Sequence, residues 1–188
     1  MKGAPMTTDE ALRIETLSSV HAEDLDLMSA LTSLINEVYE VAEEGLWAPG
    51  TTRTSRQEVT SLTQAGEIMV AWLHDELSGC VRVQQLSAGI CEFGMLAAAP
   101  KQRGIGVGRE LVRCAEQYGR EAGLDVMQLE LLVPREWSHP SKEFLAAWYE
   151  RIGYQVFRIG SIDESYPELA PGLATPCDFV IYHKNLHA

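Results

Sequence analysis

Three closely spaced glycines between a predicted strand and a predicted helix limit the fold of this chain more than any other feature. Gly104, Gly106 and Gly108 follow an apolar run that ends at Ala97, and helical periodicity begins at Val107. Glycine lets the backbone turn tightly and approach a ligand closely. The free amides and the positive end of a helix N-terminus attract an anion. The sequence therefore predicts a phosphate or pyrophosphate site here, although an ordinary tight turn would use the same glycines.

Two familiar phosphate-binding loops do not match this turn. A P-loop requires Lys and then Ser or Thr directly after its second glycine, whereas Gly108 is followed by Arg109 and Glu110. The dinucleotide-binding pattern G-x-G-x-x-G needs its third glycine where this chain has Arg109 or Leu111. The sequence thus argues against both a P-loop and a dinucleotide-binding fold.

The rest of the chain alternates between helical and strand periodicity. Apolar residues recur at helical spacing from Ala22 to Glu44, and Ser55 with Glu58 has the form of a capping box that opens a short helix before Gly66. Alternating or fully apolar runs predict strands, three of which form an antiparallel meander. The predicted strands cover residues 12–17, 67–73, 77–86, 90–97, 126–133, 154–159 and 179–184, and two further helices are predicted over residues 107–122 and 141–152.

Length and composition indicate one globular domain. The 188 residues suit a single core, and 46% hydrophobic with 22% charged residues argue against a disordered chain. The first ten residues lack the apolar core of a signal peptide, and no stretch approaches the ~20 apolar residues of a membrane span, so we expect a cytoplasmic protein. The formal charge of -12 disfavours nucleic acid and membranes as partners. It is easier to reconcile with a cationic small substrate, or simply with solubility.

The four cysteines predict neither a metal site nor a disulfide framework. Cys80, Cys91, Cys114 and Cys177 form no C-x-x-C pair and have no nearby His at metal-ligand spacing. We therefore expect reduced, mostly buried thiols and no metal cofactor.

The glycine turn and a second motif together resemble the GNAT superfamily of N-acetyltransferases. Arg103-Gly-Ile-Gly106-Val-Gly108 matches the family pattern R/Q-x-x-G-x-G/A, and Trp148-Tyr149-Glu-Arg-Ile-Gly153-Tyr154 looks like its aromatic-Tyr-x-x-x-Gly-aromatic signature. The resemblance follows the element order from about residue 12 to 184. It implies an α/β (α+β) fold with a central twisted mixed sheet of about seven strands, whose fourth and fifth strands splay apart, flanked by about four helices. We expect one N-acetyltransferase domain over residues 1–188, with its core at about 12–184.

The resemblance also implies where acetyl-coenzyme A (acetyl-CoA), the co-substrate of the family, would bind. Backbone groups of Leu96, Ala97 and Ala98 would pair with the pantetheine arm. The pyrophosphate loop would consist of Arg103, Gly104, Ile105, Gly106, Val107, Gly108 and Arg109. One residue departs from the family pattern, because Lys142 stands where many relatives carry an asparagine that touches the pantetheine.

Acetyl transfer to an amine needs one group that takes a proton from the ammonium and another that stabilises the departing thiolate. By position, Glu92 corresponds to the glutamate that serves as base in some relatives, with Glu130 on the next strand or a water as alternatives. Tyr149 matches the family tyrosine that protonates the thiolate. Without these roles, Glu92 would be an exposed strand carboxylate and Tyr149 a core aromatic residue. No histidine is placed to activate Cys91 or Cys114 as an acetyl carrier, so we expect direct transfer.

Two acidic segments would border the acceptor site in the family topology, and each contains an aromatic residue. They comprise Glu40, Glu43 and Glu44 with Trp47, and Asp163, Glu164 and Glu168 with Tyr166 in the segment 160–176, which is long enough for a functional flap. Such an acidic rim suits a polyamine, an amino sugar or a basic peptide end. The expected partner is a small-molecule or peptide amine, while a longer acyl chain and a homodimer stay open. The rival hypothesis is a sensor that binds acyl-CoA without turnover.

Overall fold

The structure, a computed structural model, describes residues 12–102 and 104–187 and contains seven strands and five α-helices in this part of the chain, besides three short 3-10 helices. The strands form one mixed sheet in the order β1-β2-β3-β4-β5-β7-β6, which confirms the predicted fold class. The strands are β1 (Leu12–Thr16), β2 (Ile68–Leu73), β3 (Glu76–Gln85), β4 (Ile90–Ala98), β5 (Val126–Pro134), β6 (Gln155–Gly160) and β7 (Cys177–Asn185). The helices are α1 (Leu25–Ala42), α2 (Arg56–Gln64), α3 (Val107–Glu121), α4 (Pro140–Arg151) and α5 (Ile162–Ser165).

The predicted helices and strands are confirmed, with boundaries that differ by a few residues. The predicted capping box of α2 forms in part. The Ser55 hydroxyl accepts from the Glu58 amide at 3.2 Å, but the Glu58 carboxylate accepts from the Thr54 hydroxyl at 2.8 Å. The first half of the box is enough to satisfy one free amide of the first turn.

Internal contacts divide the chain into two compact units, and the prediction of one domain over residues 1–188 stays a prediction. The first unit contains residues 12–38, 54–83 and the described residues of 95–115. Its strands β2 and β3 are joined at His74 and Asp75, both with positive φ (51° and 64°), as a tight hairpin turn requires. Its buried side chains include Met28, Leu31, Ile35, Val59, Val70 and Leu111.

Gly79 lets α3 approach the sheet closely in the first unit. A Cβ atom at this position would lie 2.8 Å from both the Ala97 carbonyl oxygen and Val107 Cγ1. Any side chain would therefore push the start of α3 away from β3. The position of the glycine turn thus depends on a residue well upstream in the sequence.

The second unit contains residues 39–53, 84–94 and 116–187. Its central strand is β7, which pairs antiparallel with β5 from Cys177 to Asn185 and with β6 on its other edge. The predicted flap, 160–176, contains α5 and is anchored, since Ala48 donates to the Gly172 carbonyl at 2.8 Å and Ala174 to that of Leu46 at 2.9 Å. This segment and its neighbours share a core with Leu46, Leu132, Ile162, Cys177, Phe179 and Ile181.

The parallel pairing of β4 with β5 is short. In the described residues it joins Ile90, Cys91 and Glu92 to Val126, Met127 and Gln128. Both strands continue beyond this ladder. Among the helices described, none is both long and apolar enough to cross a membrane.

Candidate active site

The glycine turn of the first unit has the backbone that an anion site needs. Gly104 and Gly106 both have φ of +91°, in the left-handed region that favours glycine. The Glu110 amide donates to the Gly106 carbonyl at 3.0 Å, which makes Gly106 the residue that precedes the helix. The first-turn amides of α3 therefore face outward from a 15-residue helix whose positive dipole end is at this turn.

Two basic side chains and a buried amide oxygen also lie at this turn. The Lys101 and Arg109 side chains are exposed, and Arg109 Nε lies 3.6 Å from Glu110 Oε1. Gln102 Oε1 is buried and has no hydrogen-bond partner among the described residues. Arg103, predicted to bind the pyrophosphate, lies outside the described residues. The turn fits an anionic ligand that also carries hydrogen-bond donors.

The predicted pantetheine-pairing residues form the end of β4. Ala97 is fully buried, while Leu96 and Ala98 are partly exposed. Just before them, Met95 is buried and has φ of +48°, which is unusual for a residue with a side chain. Met95 therefore interrupts the regular pleat of β4. Nothing in the sequence signals this backbone irregularity.

In the second unit, Glu92 lies at the centre of a polar cluster. It is only 6% exposed, which differs from the alternative of an exposed strand carboxylate. Its Oε1 accepts from Gln84 Nε2 at 2.9 Å, and its Oε2 accepts from Gln128 Nε2 at 2.7 Å. Both oxygens of this carboxylate are thus held by amide groups from the two neighbouring strands.

Glu130 shares this cluster and differs in its proton affinity. Burial and then the nearby Glu92 carboxylate raise the pKa of Glu130 from 4.5 to about 7, while a hydrogen bond from Tyr166 and the charge of Arg53 oppose the shift. Tyr166 Oη donates to Glu130 Oε2 at 2.9 Å. A carboxyl group with this pKa gains and loses its proton near neutral pH.

His183 on β7 completes the polar cluster. Its Nε2 lies 2.9 Å from Gln128 Oε1, and its ring stacks on Phe157 with centroids 4.0 Å apart. Burial lowers the pKa of His183, so the neutral ring donates from Nε2 to the amide oxygen. The strand register pairs Glu92 with Gln128 and Gln128 with His183, which places all three side chains on one face of the sheet. We call Glu92, Gln128, Glu130 and His183 the carboxylate face.

Tyr149 lies among aromatic residues instead. It is 5% exposed, and its ring centroid lies 6.0 Å from those of Phe93 and Tyr154 and 6.4 Å from that of Tyr182. Burial raises the pKa of Tyr149 far above its ordinary value. We call Phe93, Tyr149, Tyr154 and Tyr182 the tyrosine face.

The structure does not place the predicted base and the predicted acid side by side. Glu92 and Phe93 are consecutive residues of β4, so their side chains point to opposite faces. Tyr149 packs against Phe93 and therefore lies on the opposite side from Glu92.

The tyrosine face is anchored by a buried carboxylate that sequence reasoning missed. Glu116 on α3 accepts from Tyr154 Oη at 3.0 Å, from Lys184 Nζ at 2.8 Å and from Arg120 at 3.2 Å. Burial and the Glu116 charge raise the pKa of Tyr154. The only signal for Glu116 in the sequence is the apolar Val112, one helical turn before it.

Lys142 has a structural partner that explains the departure from the family pattern. Its Nζ lies 2.7 Å from Glu43 Oε1, and the two side chains are 4% and 10% exposed. Glu43 Oε2 also accepts from Trp47 Nε1 at 2.6 Å. Glu43 is therefore compensated by two donors and adds no free charge to the predicted acidic rim. Glu164 is likewise paired, with Arg158 at 2.6 Å.

None of the four cysteines has the character of an activated nucleophile. Burial raises the pKa of Cys80 to about 12 and that of Cys91 to about 11. It also raises the pKa of Cys114 and Cys177. Since the thiolate is the reactive form, these thiols are unreactive near neutral pH.

A comparison with protein families identifies the class to which this fold and site belong. The sequence profile of the acetyltransferase (GNAT) family matches residues 30–154, more than half of the chain. The chain belongs to the GNAT acetyltransferase family and is an acyltransferase. A search of curated protein sequences gives no match.

Solved structures share the fold at low sequence identity. The N-acetylglutamate synthase of Neisseria gonorrhoeae, complexed with coenzyme A and N-acetyl-glutamate, has a TM-score of 0.62 and 17% identity over 94% of this chain and 35% of its own. This chain thus spans about a third of that synthase. YncA from Salmonella typhimurium, solved with acetyl-CoA, has a TM-score of 0.64 and 14% sequence identity over 94% of this chain and 94% of its own. Aminoglycoside 6'-acetyltransferase type Ii has a TM-score of 0.63 and 19% sequence identity over 93% of this chain and 97% of its own.

Proposed function

We propose that the protein is an N-acetyltransferase that moves the acetyl group of acetyl-CoA directly to a primary amine of a small molecule or a peptide. The observation that carries this proposal is the pair of neighbouring carboxyl groups on one face of the sheet, the buried Glu92 and the partly buried Glu130. An amine attacks only when it is unprotonated, and a carboxyl group with a pKa of about 7 is suited to remove its proton. Membership of an acetyltransferase family supports the reaction class.

Acetyl-CoA is the proposed co-substrate because two structures of this fold were solved with coenzyme A or acetyl-CoA. We assign its pyrophosphate to the turn 103–109, whose outward amides and basic side chains suit an anion. We assign its pantetheine arm to the backbone of Leu96, Ala97 and Ala98. The buried oxygen of Gln102 would then receive a donor that it lacks in the described residues.

The proton chemistry divides between the two faces. A carboxyl group of the carboxylate face accepts the proton of the ammonium, and Tyr149 on the tyrosine face donates to the departing thiolate. Direct transfer is favoured over a cysteine-bound acetyl group because the pKa of every cysteine is raised by burial. A buried pair of carboxyl groups also favours a cationic acceptor, since an ammonium group offsets their mutual repulsion.

The experiment is a thiol-release assay with the purified protein. Acetyl-CoA is combined in turn with spermidine, glucosamine and a short lysine-containing peptide, and mass spectrometry locates the acetyl group on the acceptor. We expect thiol release that requires the amine and an acetyl group on its nitrogen. If no amine releases thiol above the hydrolysis background, the proposed function is wrong.

The cofactor assignment has its own test in Gly104→Ala. This position has φ of +91° and open space around it, so the variant strains the loop without a steric clash. Gly66→Ala is the matched control, because Gly66 has φ of +73° and a Cβ atom added there would meet no described atom within 4 Å. We expect calorimetry to show coenzyme A affinity about tenfold lower for Gly104→Ala only. Equal affinities in the two variants would contradict the assigned loop.

A further inference from the structure

The two carboxyl groups of the cluster differ in how many donors hold them. Both oxygens of Glu92 accept from side-chain amides, Gln84 at 2.9 Å and Gln128 at 2.7 Å. The Gln128 amide cannot rotate freely, because His183 Nε2 holds its oxygen at 2.9 Å. His183 is fixed in turn by its stack on Phe157. Glu92 is therefore a carboxylate with a fixed orientation.

Glu130 differs from Glu92 in its contacts and its exposure. Its Oε2 accepts from Tyr166 Oη at 2.9 Å. The Glu130 side chain is partly exposed, whereas Glu92 is 6% exposed. Because both oxygens of Glu92 already accept from amides, Glu130 is the carboxyl group of the pair that is better placed to meet a ligand.

We propose that Glu130, and not Glu92, takes the proton from the acceptor ammonium, and that Glu92 is a positioning residue, held in one orientation beside it. This inference rests on the proposed function. The first proton passes from the ammonium nitrogen to the Glu130 carboxylate, and the freed electron pair forms the bond to the acetyl carbon. As the carbon–sulfur bond breaks, the leaving thiolate takes a proton from Tyr149, the nitrogen loses its second proton to solvent, and the Tyr149 phenolate regains one from solvent.

The surroundings of Glu130 set its working range. The ionisable groups that act on it are Glu92 from β4, Tyr166 from the segment 160–176 and Arg53 from the loop before α2. Burial and Glu92 raise its pKa to about 7, while Tyr166 and Arg53 lower it. Glu130 is thus half deprotonated at neutral pH, which is the most effective range for a general base.

The test is the pH profile of thiol release, with the fastest acceptor among spermidine, glucosamine and the lysine peptide. In the wild type the rate rises with a midpoint near pH 7, because Glu130 must be deprotonated. Glu92→Gln removes a like charge and shifts the midpoint to lower pH. Tyr166→Phe removes a hydrogen bond to the charged form and shifts the midpoint to higher pH.

Glu130→Gln is expected to lower the rate about 100-fold or more and to remove the rise near pH 7. Glu130→Asp keeps a carboxyl group and should recover part of the rate together with a pH-dependent rise. Glu121→Gln, an exposed carboxylate at the end of α3, is the control and should match the wild type. Calorimetry with coenzyme A verifies that each variant is folded and binds its co-substrate.

A second measurement does not depend on turnover. A carbon-13 NMR titration of the carboxyl groups, assigned by the signal that Glu130→Gln removes, should give a midpoint near 7 for Glu130. An ordinary midpoint for this group overturns the inference. So does full activity of Glu130→Gln in an active wild-type background, which leaves the proposed function intact. If the wild type acetylates no amine, the proposed function fails and the assignment of Glu130 fails with it.

Discussion

On one face of β4, β5 and β7 in the second unit, polar side chains contact one another, whereas on the other face aromatic rings from β4, β7, α4 and the residue before β6 pack together. On the carboxylate face, Glu92 accepts hydrogen bonds from the side-chain amides of Gln128 at 2.7 Å and of the neighbouring Gln84 at 2.9 Å. The tyrosine face contains Tyr149 within 6.0 Å of two other ring centroids. Strand alternation places Phe93 and Tyr182 on the side opposite Glu92 and His183, and Tyr149 and Tyr154 pack onto that side.

Burial has opposite consequences on the two faces. It raises the pKa of Glu130 to about 7, so this carboxyl group exchanges its proton near neutrality. It also raises the pKa of Tyr149, whose ordinary value of 10.0 is already high, so this phenol keeps its proton at every working pH. The same physical effect thus prepares an acceptor on one face and a permanent donor on the other.

The largest effect is expected where the donor of the tyrosine face is removed. Tyr149→Phe keeps the ring packing and deletes the hydroxyl, so we expect thiol release to fall by about 100-fold or more. The turnover number measured at saturating acetyl-CoA tests this. Tyr118→Phe, at an exposed position on α3, is the control. Unchanged turnover in Tyr149→Phe would contradict the donor role, and a wild type that binds coenzyme A without any turnover would favour the sensor hypothesis.

The stability of the tyrosine face depends on Glu116. Glu116→Gln leaves Lys184 and Arg120 without their carboxylate, at a site where the Glu116 side chain is 8% exposed. We expect the free energy of unfolding to fall by about 3 kcal/mol, measured by urea denaturation. Glu121→Gln should change it by less than about 0.5 kcal/mol. Equal stability of these two variants would show that the anchor is unimportant.

The carboxylate face should make folding stability depend on pH. Between pH 4.5 and 7 the folded protein keeps a proton on Glu130 that the unfolded chain has lost. Stability therefore decreases as the pH rises through this window and becomes level above it. Since Glu130 is partly solvated, we expect a contribution of about 2 kcal/mol between pH 5 and 8. Urea denaturation of Glu130→Gln should show a decline smaller by that amount, and an identical decline would disagree with the raised pKa.

The smallest effect concerns the outer support of the carboxylate face. His183→Phe preserves a ring that can stack on Phe157 but removes the donor to Gln128. We expect a loss of about 1 kcal/mol in unfolding free energy. Gln128→Leu combined with His183→Phe in a double-mutant cycle isolates the hydrogen bond. A coupling energy near zero would mean that His183 does not orient Gln128.

Local patterns in the sequence predict the helices, the strands and the glycine turn because each depends on neighbouring residues, whereas the mixed sheet is implied by the resemblance to the GNAT superfamily. Helical spacing marked α1 and α3, and the positive φ of Gly104 and Gly106 is what closely spaced glycines permit. Family motifs and positions along the strands also indicate three candidate proton-transfer residues, Glu92, Glu130 and Tyr149. Their assigned roles in catalysis stay predictions.

Contacts between distant segments could not be predicted in the same way. Gln84, Gln128 and His183 act together only because three strands place them side by side. The pairing of Lys142 with Glu43 joins residues 99 positions apart. Burial decides whether such a residue is a free surface charge or a fixed partner, and a single sequence does not specify it.

The pH profile of thiol release in Tyr149→Phe, compared with Glu130→Gln, tests the division between the two faces most directly. The account predicts that Tyr149→Phe lowers the plateau and keeps the midpoint near pH 7, whereas Glu130→Gln removes the midpoint. A midpoint that moves in Tyr149→Phe, or one that persists in Glu130→Gln, would contradict it.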